Sequence, residues 1–202
     1  MKKIIITLLF AGASLYSVAQ AEFSMGLKAG PNFANLNTDE SAGDNYKART
    51  GFHLGAFALI KGEKVGFQPE VVFSQQGSKF KVGGDDIKSN FSYVNIPLIV
   101  KLYTIAGINL QVGPQIGFLT SAKDKSTIAG ISTTTDVKDE FKTTDFSLAL
   151  GVGWDLPFGL SIDGRYNWGL TDNNDGYGSG ASESSIKNQV WQFSIGYKFL
   201  KF

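Results

Sequence analysis

The segment VWQFSIGYKF, residues 190–199, alternates between large apolar side chains and small or polar ones. Its two faces are Trp191, Phe193, Ile195, Tyr197 and Phe199 on one side, and Gln192, Ser194, Gly196 and Lys198 on the other. A period of two is that of a β-strand. A run of about 10 residues is also the length of a tilted strand that crosses a bilayer.

Seven segments upstream show the same alternation and predict strands. They are Phe23–Phe33, Gly51–Ile60, Val65–Gln75, Phe91–Leu102, Ile108–Leu119, Asp145–Asp155 and Leu160–Leu170. Gly51–Ile60 alternates less cleanly, because Phe57 and Leu59 lie on its otherwise small or polar face. The 24 glycines and the 13% of aromatic residues suit twisted, closely packed strands better than helices.

The connections between these segments alternate in length. The long ones are Ala34–Arg49, Gly77–Asn90, Thr120–Thr144 and Thr171–Lys187, and the short ones are Lys61–Lys64, Tyr103–Gly107 and Asp155–Gly159. This rhythm predicts an all-β fold, an eight-stranded antiparallel up-and-down barrel with both termini on the short-turn side. Within the third long connection, Ser126–Thr135 is expected to be a surface loop because of its many Ser and Thr residues.

The N-terminus has the layout of a secretory signal peptide. Lys2 and Lys3 precede an apolar run from Ile4 to Leu15, and small residues follow. We expect cleavage after Ala19 or Ala21, which assigns residues 1–21 to the signal peptide and 22–202 to the barrel domain. The apolar run is shorter than the ~20 residues that a membrane-spanning helix needs.

Alternation alone does not say which face points outward, since a soluble barrel with an apolar interior alternates as well. The polar face is small, as the narrow lumen of eight strands requires. Aromatic residues near strand ends resemble the girdles of membrane barrels: Phe23, Phe33, Phe52, Phe91, Trp154, Trp168 and Tyr197. We therefore expect a transmembrane barrel in the outer membrane, with both termini in the periplasm and lipid around the apolar face.

The chain end and the motifs of the strands resemble a known family. The motifs are Gly26–Phe33, Gly51–Gly55, Gln68–Glu70 with Ser74–Gly77, Tyr93–Leu98, Gly113–Gly117 and Asp163–Tyr166 with Gly169–Leu170. In their order and spacing they are similar to the porin-family, or PorT-like, outer-membrane β-barrel domain of Bacteroidetes-type bacteria. Tyr197, Phe199 and Phe202 resemble the C-terminal signal that the barrel assembly machinery reads during biogenesis.

Six charged residues are predicted to point into the lumen: Lys28, Glu70, Lys101, Asp163, Arg165 and Lys198. Buried charge is very costly unless it is paired. We therefore expect a salt-bridge network that plugs the barrel, with Glu70 paired to Lys101 or Arg165. The alternative is a charged constriction that passes ions.

No residue pattern predicts catalysis, a cofactor or a metal site. His53 is the single histidine, and we expect it to be hydrogen-bonded in the lumen; a lipid-modifying enzyme that uses it is the alternative. Thr171–Gly176 resembles a calcium loop only faintly, because its first ligand position is Thr. A net charge of +1 gives no reason to expect nucleic acid as a partner.

The sequence leaves four functions open. The first is a non-enzymatic barrel with a plugged lumen and a structural or surface-binding role, whose extracellular ligand is unknown. The others are a narrow porin-like solute channel, an outer-membrane component of a protein secretion system, and a lipid-modifying enzyme.

Overall fold

The computed structural model describes residues 21–38, 47–82, 85–128, 131–137, 143–171 and 186–202. Nine strands run through them: β1 (Glu22–Thr38), β2 (Lys47–Lys61), β3 (Val65–Val82), β4 (Asp85–Tyr103), β5 (Ile108–Ile128), β6 (Ile131–Asp136), β7 (Thr144–Asp155), β8 (Leu160–Gly169) and β9 (Ile186–Lys201). The predicted signal peptide lies outside the described residues except for Ala21, as does the faint calcium motif except for Thr171.

Eight of these strands form one closed sheet. Going around the barrel, the order is β1, β2, β3, β4, β5, β7, β8 and β9, and every neighbouring pair is antiparallel. β9 also pairs with β1, which closes the ring. The prediction of an eight-stranded antiparallel up-and-down barrel is confirmed.

The last residue helps to close the sheet. The amide N–H of Phe23 donates to the carbonyl oxygen of Phe202 at 3.1 Å, and the N–H of Phe202 donates to the carbonyl oxygen of Phe23 at 2.8 Å. A closed ring leaves no open strand edge, which is the condition for a sheet to cross a hydrocarbon layer.

The strands extend much further at one end of the barrel than the sequence predicted. β3 and β4 stay paired from Gln76 with Phe91 out to Val82 with Asp85, where we expected the connection Gly77–Asn90. The predicted surface loop Ser126–Thr135 is also wrong, because β5 and β6 pair there as a hairpin. These stretches resemble loops in composition, yet the backbone pairing continues through them.

The short turns lie at the opposite end, and two of the three contain a glycine with a positive φ angle. Gly107 and Gly159 have φ angles of 84° and 93°. Side chains disfavour that conformation and glycine does not, so each turn can reverse the chain within a few residues. The Trp154 indole N–H donates to the Ala106 carbonyl at 3.0 Å and fastens one turn to β7.

The two faces of the sheet have opposite polarity. Large apolar residues such as Leu110, Val152 and Ile195 are exposed outside, while Lys28, Glu70 and Arg165 are buried inside. A water-soluble barrel would show the reverse. No helix in the described ranges is long and apolar enough to span a membrane.

One member of the expected aromatic girdle is misplaced. Phe33, Phe52, Trp154, Trp168 and Tyr197 are exposed on the outer face, but Phe91 is buried inside. It packs there in a small apolar cluster with Tyr93, Leu119, Ala122 and Val137. Phe91 has the same parity as the inward residues of β4, and that strand continues past it to Asp85, so Phe91 does not lie at a strand end.

Because the outer face of the barrel is apolar, we expect a charged residue introduced there to destabilise the fold. Leu150 lies halfway along β7 and is exposed outside. We expect Leu150→Arg to lower the free energy of unfolding from lipid vesicles by about 2–4 kcal/mol, because arginine near the bilayer midplane is poorly solvated.

The control is Ile105→Arg in the exposed turn before β5. Urea unfolding followed by tryptophan fluorescence measures both variants. Equal stability of the Leu150→Arg and Ile105→Arg variants would mean that water surrounds this face.

Candidate functional site

The candidate site is the packed interior of the barrel. Among the described residues, four cationic and four acidic residues are buried there: Lys28, Lys101, Arg165, Lys198, Glu70, Asp145, Asp155 and Asp163. All six sequence-predicted lumen residues are among these eight. The equal numbers of the two signs matter because an unmatched charge in a narrow lumen is very costly.

Lys28, Glu70 and Arg165 form what we call the central cluster. The Glu70 carboxylate accepts from Lys28 Nζ at 3.1 Å and lies 2.7 Å from Arg165 Nη2. Gln68 Nε2 donates to the same carboxylate at 2.7 Å. β3, which carries Glu70, stands four strands from β8, which carries Arg165, in the ring of eight. The Glu70–Arg165 pair therefore crosses the whole lumen.

Polar side chains fix Arg165 from the other side. Arg165 Nε donates to Gln111 Oε1, and Gln111 Nε2 donates to Asp163 Oδ1, each at 2.5 Å. Gly153 lies beside them, and a β-carbon there would collide with Gln111 and Asp163. The absent side chain of Gly153 is thus what makes room for this part of the interior.

A second group, the inner cluster, lies towards the short turns and is centred on Asp155. Its carboxylate contacts Lys101 Nζ at 3.1 Å and Lys198 Nζ at 2.7 Å, and it accepts from the Tyr103 hydroxyl at 2.8 Å. Lys101 Nζ also lies 3.7 Å from Asp163. Because Asp163 reaches Arg165 through Gln111, this contact joins the inner cluster to the central cluster.

The expected partners of Glu70 need one correction. Glu70 contacts Arg165 and Lys28, while Lys101 lies with Asp155 and Asp163 instead. β3 and β4 are neighbours, as assumed, but Lys101 is opposite Gly66 in their register, four positions away from Glu70 along β3. Depth in the barrel, rather than strand adjacency, decides the pairing.

Sequence reasoning missed Asp155 and Tyr103 as lumen residues: it assigned Tyr103 to a short connection, and it placed Asp155 at the point where a predicted strand meets the next short connection. Both are the last residues of their strands. The signal was available: Tyr103 lies two positions after Lys101, and Asp155 two positions after Gly153, so each continues the inward face by one step.

His53 lies in the lumen within a chain of hydrogen bonds. The Asn32 amide Nδ2 contacts Ser74 Oγ at 2.8 Å and the Phe52 and Gln75 carbonyls, so Asn32 Oδ1 is the atom left to accept. His53 Nδ1–H therefore donates to Asn32 Oδ1 at 2.7 Å, and Nε2 accepts from the Ser194 hydroxyl at 2.8 Å. This tautomer could in principle activate a serine.

Access argues against catalysis by this chain of groups. Asn32, His53 and Ser194 are exposed by 0%, 1% and 3%, so a substrate has no route to the hydroxyl. The hydrogen bonds instead join β1, β2, β3 and β9 across the interior. In the part of the chain that the structure describes, no group of three or more His, Cys, Asp or Glu side chains is arranged to hold a metal ion.

A polar cavity of about 10 Å³ lies beyond the clusters, towards the long-strand end. Asn95 and Asn167 line it, and both have amide atoms without a hydrogen-bond partner. This volume holds about one water molecule, which would satisfy those atoms.

The three predicted assembly-signal residues lie on the outside. Tyr197, Phe199 and Phe202 are exposed, and the Phe202 ring lies 6.1 Å from that of Phe23. Their exposure extends the apolar outer face to the end of the chain.

The central cluster generates a stability prediction. Glu70→Ala leaves Lys28 and Arg165 buried without their shared counter-charge, so we expect a loss of about 3–5 kcal/mol in the free energy of unfolding. The control is Glu22→Ala, which breaks the exposed Glu22–Lys201 pair and should cost about 0–1 kcal/mol. Urea titration of both refolded variants measures the difference, and equal losses would show that the lumen is wet.

The profile of the outer membrane protein β-barrel domain matches residues 18–175, well over half of the chain. A search of curated proteins found no match.

Solved structures of outer-membrane barrels share the fold. Neisserial surface protein A is 12% identical with a TM-score of 0.52, covering 88% of this chain and 99% of its own. Ail, the attachment invasion locus protein of Yersinia pestis, is 18% identical with a TM-score of 0.50, covering 89% of this chain and 99% of its own. At these identities the likeness concerns the fold alone, and the family rests on the profile match: the chain belongs to the outer membrane protein β-barrel domain family.

Proposed function

We propose that this outer-membrane barrel is a non-enzymatic protein with a plugged lumen, and that its role is structural or surface-binding. The observation that carries the proposal is the Glu70–Arg165 contact of 2.7 Å, which crosses the lumen between opposite strands. The paired strands that extend beyond the apolar band are the surface that the protein offers to its surroundings.

The balance of charge supports a plug over a channel. An ion-selective constriction needs charged groups that face water and can exchange partners with the ion. Here Glu70, Asp155 and Asp163 each lie within 4.0 Å of a lysine or arginine, and all are almost fully buried. Eight strands also leave little free cross-section once side chains fill the interior.

The orientation is part of the proposal. In outer-membrane barrels the short turns face the periplasm and the longer connections face outward. We infer that both termini and the inner cluster lie on the periplasmic side, after export by the signal peptide and insertion by the barrel assembly machinery. Membership of the PorT-like branch in Bacteroidetes-type bacteria, with a part in protein secretion, is a second candidate that the motif order favours.

Planar-bilayer recording tests the plug. We expect the refolded full chain to show no steady unitary conductance. The Glu70→Ala, Arg165→Ala double variant removes the contact across the lumen without changing the net charge, although Lys28 loses its contact with Glu70, and it should show small current steps. That variant proves that insertion and detection work.

If the unaltered protein showed steady conductance equal to that of the double variant, the lumen would be a channel and the proposed plug would be refuted. Fractionation and gel mobility are measured in parallel. We expect the protein to be recovered in the outer membrane and to migrate differently in boiled and unboiled samples.

A further inference from the structure

The polar cavity towards the long-strand end, which we call the outer cavity, is not accounted for by the charged plug. Its lining includes the amides of Asn95 and Asn167, the carboxylate of Asp145 and the hydroxyl of Ser147. Among the described lining residues, none belongs to the central cluster or the inner cluster. The outer cavity is therefore a separate polar space on the outer side of the paired charges.

A missing side chain makes room for the outer cavity. Asn95 of β4 is opposite Gly117 of β5, and Gly117 is opposite Asp145 of β7, so the three residues form one inward row. A β-carbon at Gly117 would lie 2.7 Å from Asn95 Oδ1, which is closer than non-bonded atoms normally approach. The glycine thus leaves a gap between an amide and a carboxylate.

Two side chains that line the outer cavity have amide atoms without a hydrogen-bond partner among the described residues. Both the oxygen and the nitrogen of the Asn167 amide are in this position, and so is Asn95 Nδ2. Asn167 and Asn95 are only 3% and 2% exposed. Because a buried polar atom without a partner destabilises the fold, such atoms indicate that a water molecule or a ligand completes their hydrogen bonds.

These amide atoms determine which kind of chemical group fits. Asn167 offers both a donor and an acceptor, and exchanging its oxygen and nitrogen leaves that pattern unchanged. A metal cation would satisfy the acceptor but leave the nitrogens of Asn95 and Asn167 without one. An anion would satisfy the nitrogens but would lie beside the Asp145 carboxylate. A hydroxyl group both donates and accepts, so it satisfies all of these atoms.

The size and surroundings of the outer cavity also suit a hydroxyl group. Its volume of about 10 Å³ holds one group of the size of a water molecule. Among the described lining residues, Gln76 and Asp145 at the outer side keep 6% and 7% exposure, which is more than the deeper Asn95 and Asn167 keep. The Tyr93 ring also lines the cavity, and an aromatic ring offers the carbon skeleton of an alcohol or sugar an apolar surface.

We propose that the outer cavity binds a hydroxyl group of a sugar or another polyol that approaches from the outer end of the barrel. Asn95 Nδ2 and Asn167 Nδ2 donate to the hydroxyl oxygen, and the hydroxyl donates to Asn167 Oδ1 or to the Asp145 carboxylate. The hydroxyl replaces the single water molecule that the cavity can hold. The inference deepens the proposed surface-binding role and rests on it in one respect, namely that this end of the barrel faces outward.

Titration with methyl glucoside and with glycerol tests the proposal on the folded full chain in a phosphocholine detergent, which carries no sugar. Saturation-transfer difference NMR measures both affinities. Two hydrogen bonds of ordinary strength contribute about 10- to 30-fold to an affinity. We therefore expect Asn167→Leu, which has the same branching but no polar atoms, to weaken binding about 10- to 30-fold. Binding of methyl glucoside assigns the cavity to sugars, and binding of glycerol alone assigns it to smaller polyols.

A matched pair of glycine variants tests the cavity itself. Gly117→Ala places a β-carbon against Asn95 and should abolish binding. Gly164→Ala is the control, because its β-carbon would lie 3.6 Å from the Phe193 ring, which is an ordinary contact. This variant should bind like the unaltered protein. If Gly117→Ala does not fold, Asn167→Leu still tests the proposal.

Three results would overturn the proposal. One is that the folded, unaltered chain binds neither compound, which would mean that the cavity holds water only. Another is that Asn167→Leu binds as tightly as the unaltered chain. The third is equal affinity for methyl glucoside whose hydroxyl groups are all methylated, because such a compound accepts hydrogen bonds but donates none.

A stability measurement distinguishes a binding role of Asn167 from a structural one. Without sugar or polyol, Asn167→Leu should unfold at the same or a higher urea concentration than the unaltered protein, because it removes polar atoms that have no partner in the protein. Unfolding at a clearly lower urea concentration would contradict the proposal. A folded, non-conducting barrel that binds neither compound refutes only this inference, whereas steady conductance of the unaltered chain refutes the proposed plug.

Discussion

The structure depends on the contact between Glu70 and Arg165 across the barrel. A closed sheet of eight strands has one face in hydrocarbon, so its polar side chains have only the lumen to occupy. That lumen is too narrow to keep each charge hydrated. The charges must therefore neutralise one another. Glu70 lies at the centre of that arrangement, because its carboxylate contacts Arg165, Lys28 and Gln68.

The rest of the interior follows from the same constraint. Asp155 gathers Lys101, Lys198 and Tyr103 near the short turns, and Asp163 links it to the central cluster through Lys101. His53 is held in a chain of amide and hydroxyl groups. Asn32, His53 and Ser194 are thus arranged like a catalytic triad, but they are buried hydrogen-bonding groups of the interior and the Ser194 hydroxyl is not accessible.

The alternation of apolar and polar residues predicts much of the fold and of the interior, and the predictions that were wrong have physical causes. A period of two identifies strands and sorts their faces, which is why the barrel and the inward position of Lys28 and Arg165 follow from sequence. It does not encode strand tilt or stagger, so it left both Lys101 and Arg165 as partners of Glu70 and did not predict that Lys101 pairs with Asp155 and Asp163 instead. Alternation also loses its apolar half where strands leave the bilayer, and there the pairing of Gln76–Val82 with Asp85–Phe91 was mistaken for a loop.

Lipid surrounds the apolar face of the barrel, and paired polar groups fill its lumen. The chain has three tryptophans, and Trp154, Trp168 and Trp191 are all exposed on the outer face. The most direct measurement is quenching of their fluorescence after refolding into vesicles with bromine-labelled acyl chains. We expect strong quenching by the brominated lipid and little quenching by aqueous acrylamide. Efficient quenching by acrylamide with none by the brominated lipid would contradict this arrangement.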